Sequence, residues 1–241
     1  MRELPPPLPP DRRTVGQLVA ETIRAYGNRF WRALPLGLPL AVVDQLSVRH
    51  SGAWQLVLYL LATPLFAAAY LWACRLVLGG ARVTPAAAAL AALLWLPFPA
   101  LRALFVVPGL MWLALLGLSV PAAMVERLAP RAALARGRQL GVADYAHALG
   151  SLAALVLVVG VSANVLSALL HTQGDNGQRV AVFLSDEVLS PLLFLGGALL
   201  YVDQAARVGS RRSDRRRSRD ADLHPPVDAD PTGRPDPQVE S

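Results

Sequence analysis

Few side chains in this sequence are of the types that perform chemistry, and none falls at the spacing of a catalytic or metal centre. The four histidines, His50, His147, His171 and His224, stand alone. The single cysteine, Cys74, lies inside an apolar run. One thiol builds no disulfide framework, no thiolate zinc site and no single-chain iron–sulfur cluster, so Cys74 reads as a small packing residue. The chain has no lysine, and with it no phosphate-binding loop. His-Glu-x-x-His, Gly-x-Ser-x-Gly and Cys-x-x-Cys are equally missing. His147 and His171 stand at opposite ends of one apolar segment, too far apart to ligate one haem. Glu126, Asp144 and His147 form the one acid–base group close in sequence. An intramembrane enzyme acting on lipid would need them within hydrogen-bond reach of each other. No catalytic residue, cofactor or metal ligand is assigned from the sequence.

What remains is arginine. All 23 basic residues are arginines, against 17 acids, for a net charge of +6. Three clusters stand out: Arg24, Arg29 and Arg32 beside Trp31; Arg131, Arg136 and Arg138; and Arg211, Arg212, Arg215, Arg216 and Arg217. Guanidinium groups flanking apolar segments attract anionic headgroups and set topology. These residues are the candidate contacts to anionic inner-leaflet lipid, with a protein partner or a second copy of the chain as the further candidate. Nucleic acid, which the pI of 10.4 would suggest by itself, fits this setting less well.

The setting is the membrane. Of the 241 residues 54% are apolar and only 17% charged, with a mean hydropathy of +0.40; soluble domains carry about 25% charged residues. The apolar residues fall in blocks approaching the ~20 needed to cross hydrocarbon. Residues 1–13, with five prolines, read as an extended lead-in without a secretory signal. Thr14 and Gln17 fit a capping box. Val15, Leu18, Val19, Thr22, Ile23, Tyr26 and Phe30 then recur at helical spacing, giving an amphipathic helix that lies at the interface or packs on the bundle. Spans are expected at 33–47 (short, with Pro35 and Pro39), at 54–78, as a hairpin within 85–125 turning near Pro97, Pro99 and Arg102, at 148–170, and within 180–206. A polar helical stretch covers 126–147 and a hydrophilic loop 171–179. The tail, 208–241, reads as disordered by composition.

Charge supports an all-α, six-span bundle with two cytoplasmic-side amphipathic helices. With both termini inside, twenty arginines fall on the cytoplasmic side and three outside, Arg49, Arg102 and Arg179, a strong positive-inside bias. Ionisable residues near the spans are few. Asp44 lies near the end of the first, Asp186 and Glu187 at the outer end of the sixth. Asp203 and Arg207, four apart at its inner end, are expected to pair on one helical face. Asn164 is the most central polar residue of the fifth span and is expected to bond a neighbouring helix. Thr63-Pro64-Leu65 and Ser190-Pro191-Leu192 open two spans in a similar way. They point to a parallel duplication of the kind found in transporters, although chance likeness among apolar spans explains them as readily.

The stretch Ala133-Leu134-Ala135-Arg136-Gly137-Arg138-Gln139-Leu140, following Pro121 and Glu126, resembles the cytoplasmic helix of the glycerophosphoryl diester phosphodiesterase membrane-domain family and related six-span bacterial families of unknown function. Gly137 stands where that pattern has serine, and Arg138 where it has tryptophan. Tyr26, Phe30-Trp31 and the closing Leu200-Tyr201-Val202-Asp203 with Arg207 look similar too, so the resemblance covers residues 14–207. It implies a helical domain in the inner (plasma) membrane of a bacterium, with no demonstrated catalysis by the membrane part. The leading expectation is therefore a non-enzymatic lipid- or partner-binding membrane module. A small transporter or permease subunit is the rival, and it requires a cavity between the two halves.

Overall fold

A computed structural model of the chain describes residues 9–47, 51–104, 106–170 and 174–223. The start of the lead-in, Arg49, His50, His171, His224 and the tail beyond residue 223 lie outside the described residues. Within them the chain is all helical, without a strand. After a 3₁₀ turn, Pro10–Arg12, come α1 (Val15–Asn28), α2 (Phe30–Ala33) and a second 3₁₀ turn, Leu34–Leu36. Next are α3 (Leu38–Ser47), α4 (Gly52–Leu61), α5 (Thr63–Val77), α6 (Pro85–Trp95) and α7 (Phe98–Leu104). Then follow α8 (Val106–Leu116), α9 (Ser119–Val125), α10 (Pro130–Ala143), α11 (Tyr145–Leu170), α12 (Gly174–Leu189) and α13 (Pro191–Leu223).

Local chemistry accounts for the main boundaries. The capping box opens α1: the Thr14 hydroxyl accepts from the Gln17 N–H at 3.4 Å and the Gln17 amide oxygen accepts from the Thr14 N–H at 2.9 Å. Thr84 caps α6 through the Ala87 N–H, with Pro85 next to it. The two hydroxyl-Pro-Leu triplets make the same junction. Thr63 donates to the Tyr59 carbonyl and Ser190 to the Asp186 carbonyl, while Pro64 and Pro191 interrupt the backbone ladder. The first junction bends α4 against α5 by 49°.

Three helical stretches are long and apolar enough to cross a membrane by length and composition: Val106–Val125, Tyr145–Leu169 and Arg179–Arg219. The bent pair α4–α5 makes a fourth if it is one span. The span expected at 33–47 is broken by the 3₁₀ turn at Pro35, leaving α3 at ten residues, roughly 15 Å long and too short to cross alone. Pro85–Leu101 is also short. The loop expected at 171–179 is helical from Gly174. The tail expected to be disordered from residue 208 stays helical to Leu223, because arginine is a good helix former and nothing breaks the run.

Apolar stripes remain on the outside. Leu157, Val161, Val165 and Leu169 of α11, spaced by four, are each more than half exposed. Leu38, Val42 and Leu46 form a second exposed apolar stripe on α3. Such bands are compatible with insertion into a bilayer, since in water they would form an unusually large apolar patch. Inside, one cluster is aromatic, around Phe66, Tyr70, Trp95 and Phe194, and a second is aliphatic, around Leu18, Leu118, Leu140, Leu155 and Leu200.

Candidate functional site

The polar groups concentrate at two ends of the bundle. At the first, the end of the lead-in, the α10–α11 corner and the start of the polar part of α13 meet. Asp203 is fully buried and pairs with Arg13 at 3.0 Å. Arg207 reaches Asp144 at 2.9 Å, donates to the Arg13 carbonyl and lies 3.4–3.5 Å from the His147 ring nitrogens. The expected Asp203–Arg207 pair is thus replaced. Both side chains sit on one face as their spacing requires, but each points across to a facing element that offers a better partner. Asp144 also caps α11, its Oδ1 accepting from the His147 N–H at 3.3 Å, and its carbonyl accepts from Gln204 at 3.2 Å. Glu126 belongs elsewhere: Arg136 Nε donates to both its oxygens, at 2.9 and 3.2 Å, and the Tyr201 hydroxyl to one of them at 3.2 Å. The Glu126–Asp144–His147 group is therefore split between two networks, and Asp144 and His147 are engaged by a guanidinium.

The helix α1 bridges this end. Arg13, just before it, meets α13, and Arg29, just after it, donates to the Leu76 carbonyl at the end of α5. Leu18, Thr22 and Tyr26 form its buried face. Arg24, paired with Glu21 at 2.6 Å, points outward. Trp31 is 81% exposed and Arg32 is exposed. On α10, Arg131 and Arg138 are exposed, whereas Arg136 is half-buried in its bond to Glu126. Arg211 donates to the Ala143 carbonyl at 2.6 Å, and Arg212, Arg215, Arg216 and Arg217 are exposed on the extension of α13. Gly137, at the position where the resemblance departs from serine, lies against the α8–α9 break. A Cβ there would meet the Ser119 backbone nitrogen at 2.5 Å, so no larger side chain fits.

At the other end a cavity of about 340 Å³ opens between the helices. Residues of α3, α5, α6, α7, α8, α11, α12 and α13 line it, so both halves of the chain contribute. Its wall is mostly apolar and aromatic. Trp95 is central, with Phe98 at 4.9 Å, Phe194 at 5.5 Å and Phe66 at 5.6 Å between ring centroids. The polar lining includes Asp44, Asp186 and Ser190. Asp44 accepts from the Tyr59 hydroxyl, and Gln45, the next residue, donates to the Arg179 carbonyl at 2.7 Å. The indole N–H of Trp95 is buried without a hydrogen-bond partner. Asn164, expected to bond a neighbouring helix, instead donates to the Gly160 carbonyl of its own helix at 2.7 Å.

Sequence reasoning missed Arg13 as a partner of Asp203 and missed the aromatic wall. The first lies 190 positions away, and the aromatic residues come from segments whose apolar pattern carries no sign of convergence. Among the described residues no group of three histidine, cysteine, aspartate or glutamate side chains is placed to hold a metal ion. No family model, curated protein or solved structure matches the chain.

Proposed function

We propose that the chain is a non-enzymatic integral membrane module whose arginine-bearing end engages anionic lipid. In this reading it crosses the inner (plasma) membrane of a bacterium six times, both termini are cytoplasmic, and α1 and α10 lie at the inner interface. The short α3 and α6–α7 make their crossings as parts of the bundle. This agrees with what the resemblance to the glycerophosphoryl diester phosphodiesterase membrane domain implies. The observation that carries the reading is a division among the arginines. Arg13, Arg136 and Arg207 are bound in ion pairs within the protein, while Arg32, Arg131, Arg138 and Arg215 to Arg217 at the same end are exposed. Exposed cations beside an apolar surface attract anionic headgroups at about 1 kcal/mol each.

The test is native mass spectrometry of the full chain released from bilayers of mixed phosphatidylglycerol and phosphatidylcholine. The wild type retains phosphatidylglycerol preferentially. Arg131→Gln with Arg138→Gln weakens that preference by about 2 kcal/mol, roughly thirtyfold, without loss of fold. An unchanged preference ends the reading.

A second reading, a small transporter or permease subunit, is favoured by the cavity, because both halves line it. Cys74 is buried, so Gly160→Cys in the cavity wall gives a clean labelling site. A transporter exposes that thiol to an impermeant maleimide from both faces of the membrane in turn, a static binding module from one at most.

A further inference from the structure

Among the long apolar stretches, α11 is the one that the bundle covers least. In its most apolar part only 11% of the residues are buried, against 50% in Val106–Val125 and 44% in Arg179–Arg219. Its outer side carries one polar side chain within an apolar stripe: Ala153, Leu157, Val161, Asn164 and Ala168, all exposed. Steps of four, four, three and four residues keep these five on one helical face. Asn164 stands about 9 Å inside the end of α11 at Leu170, too deep for a short amide to reach the headgroups as a long arginine does. One of its amide N–H groups donates to the Gly160 carbonyl at 2.7 Å. The other N–H and the amide oxygen have no partner among the described residues. Lipid tails offer these groups nothing, and polar groups left so in hydrocarbon are costly. Apolar residues alone would leave lipid as the natural cover for this face; the amide calls for a cover with both a donor and an acceptor.

We propose that a second copy of this chain covers this face, the two α11 helices packing side by side with Asn164 of each copy bonded to Asn164 of the other. Copies of one chain enter a bilayer in the same direction and to the same depth. A two-fold axis along the membrane normal therefore brings each position of this stripe opposite itself. An asparagine amide is its own complement, since it offers both N–H and oxygen; an arginine or a carboxylate in that place would repel its twin. Leu157 and Asn164 are seven residues apart, as are Val161 and Ala168, the repeat of helices that cross at about +20°. Ala153 and Ala168 let the two backbones approach closely. One polar residue in such a seam also fixes the register, because any slide strands both amides. The proposal rests on α11 crossing the membrane, as both readings above have it, and on neither lipid selection nor transport. The cavity borders the opposite side of α11, through Leu152, Val156, Val159 and Ala163, so the two features do not compete for one face.

The test uses the full chain in phosphatidylcholine liposomes at low protein density, with alkaline carbonate extraction to show that each variant is inserted. Cys74 is buried, so an added thiol is read by itself. Ala168→Cys should give a disulfide-linked dimer on mild oxidation. Leu169→Cys should not: it is 70% exposed and at nearly the same depth, but about 100° round the helix. Energy transfer between labelled copies, diluted stepwise with lipid, gives the dimer constant. Asn164→Leu should weaken it about five- to thirtyfold. Its circular dichroism should stay unchanged, because within one copy the side chain bonds only its own helix. Asn164→Gln, longer but with the same donor and acceptor, should weaken it less. Inserted copies that stay monomeric at every density, a disulfide that forms as readily through Leu169→Cys, or an association untouched by Asn164→Leu each overturns the proposal alone. Wild-type chain washed out by carbonate overturns the membrane reading and this proposal with it.

Discussion

At the arginine-rich end Arg13, Arg136 and Arg207 each meet a carboxylate carried on another element, joining the lead-in, α9, α10, α11 and α13. At the cavity end Asp44 accepts from a tyrosine hydroxyl instead, and Asp186 shares an aromatic-walled space with it. The two packing clusters differ as well, one aliphatic around Leu140 and Leu155 and one aromatic around Trp95, although Leu118 and Leu200 of the aliphatic cluster also line the cavity. Charges that neutralise each other inside the protein hold elements together. On this contrast, substitutions at the first end should cost more stability than those at the second.

The largest stability loss belongs to Arg13→Ala. Asp203 is fully buried and the Arg13 side chain only 15% exposed, and removing one member of a buried pair costs about 3–5 kcal/mol. Chemical denaturation of the full chain in detergent reads this directly. Arg13→Ala combined with Asp203→Leu should recover most of the loss, because no charge is then left unpaired. If the double variant is as unstable as the single, the lead-in stabilises by packing and the contrast between the two ends loses its electrostatic basis.

Much of this scaffold is legible in the sequence and its partnerships are not. Thr14 with Gln17 announces the start of α1, the Thr63-Pro64 and Ser190-Pro191 steps mark two helix junctions, and the helical character of 148–170 follows from an unbroken apolar run. These are local signals, set by capping and by the missing proline N–H. Asp203 and Arg207 show the limit. Their four-residue spacing correctly places them on one face of α13, yet periodicity says nothing about which element that face meets, and Arg13 and Asp144 take the two charges. The continuation of α13 to Leu223 was hidden for a related reason: a polar, arginine-rich composition describes a segment unable to build a core, and a helix extending from a packed one needs no core of its own. The cavity is the least legible feature. Phe66, Trp95, Phe98 and Phe194 are ordinary apolar residues within their own segments, and Asp44 and Asp186 lie 142 positions apart.

A smaller loss is expected where α10, the carrier of Arg131 and Arg138, seats on its neighbours. Gly137→Ala places a methyl group 2.5–2.7 Å from the Ser119 backbone and Cβ. Backbone there has little freedom to yield, so the helix must lift, at about 1–3 kcal/mol. The same displacement moves Arg138 and strains the Arg136–Glu126 bond, so anionic-lipid preference should fall along with stability. A variant that loses stability but keeps full lipid preference would separate the arginines from the seating of α10, and would sharpen the contrast by assigning the lipid contact to α1 and the extension of α13.

The smallest effect on stability is expected at the cavity end. Tyr59→Phe removes the hydroxyl that Asp44 accepts and keeps the ring, which stacks on Phe66 at 6.1 Å with an interplanar angle of 6°. A single hydrogen bond to a charged group contributes about 1.5–3 kcal/mol when sealed from water; Asp44 is only half-buried, and solvent takes up part of the bond when the hydroxyl is gone. Denaturation of this variant should therefore show a loss of about 1 kcal/mol or less, against several for Arg13→Ala. A stability loss equal to that of Arg13→Ala would show that Asp44 is a structural partner like Asp203, and the two ends would differ in composition alone.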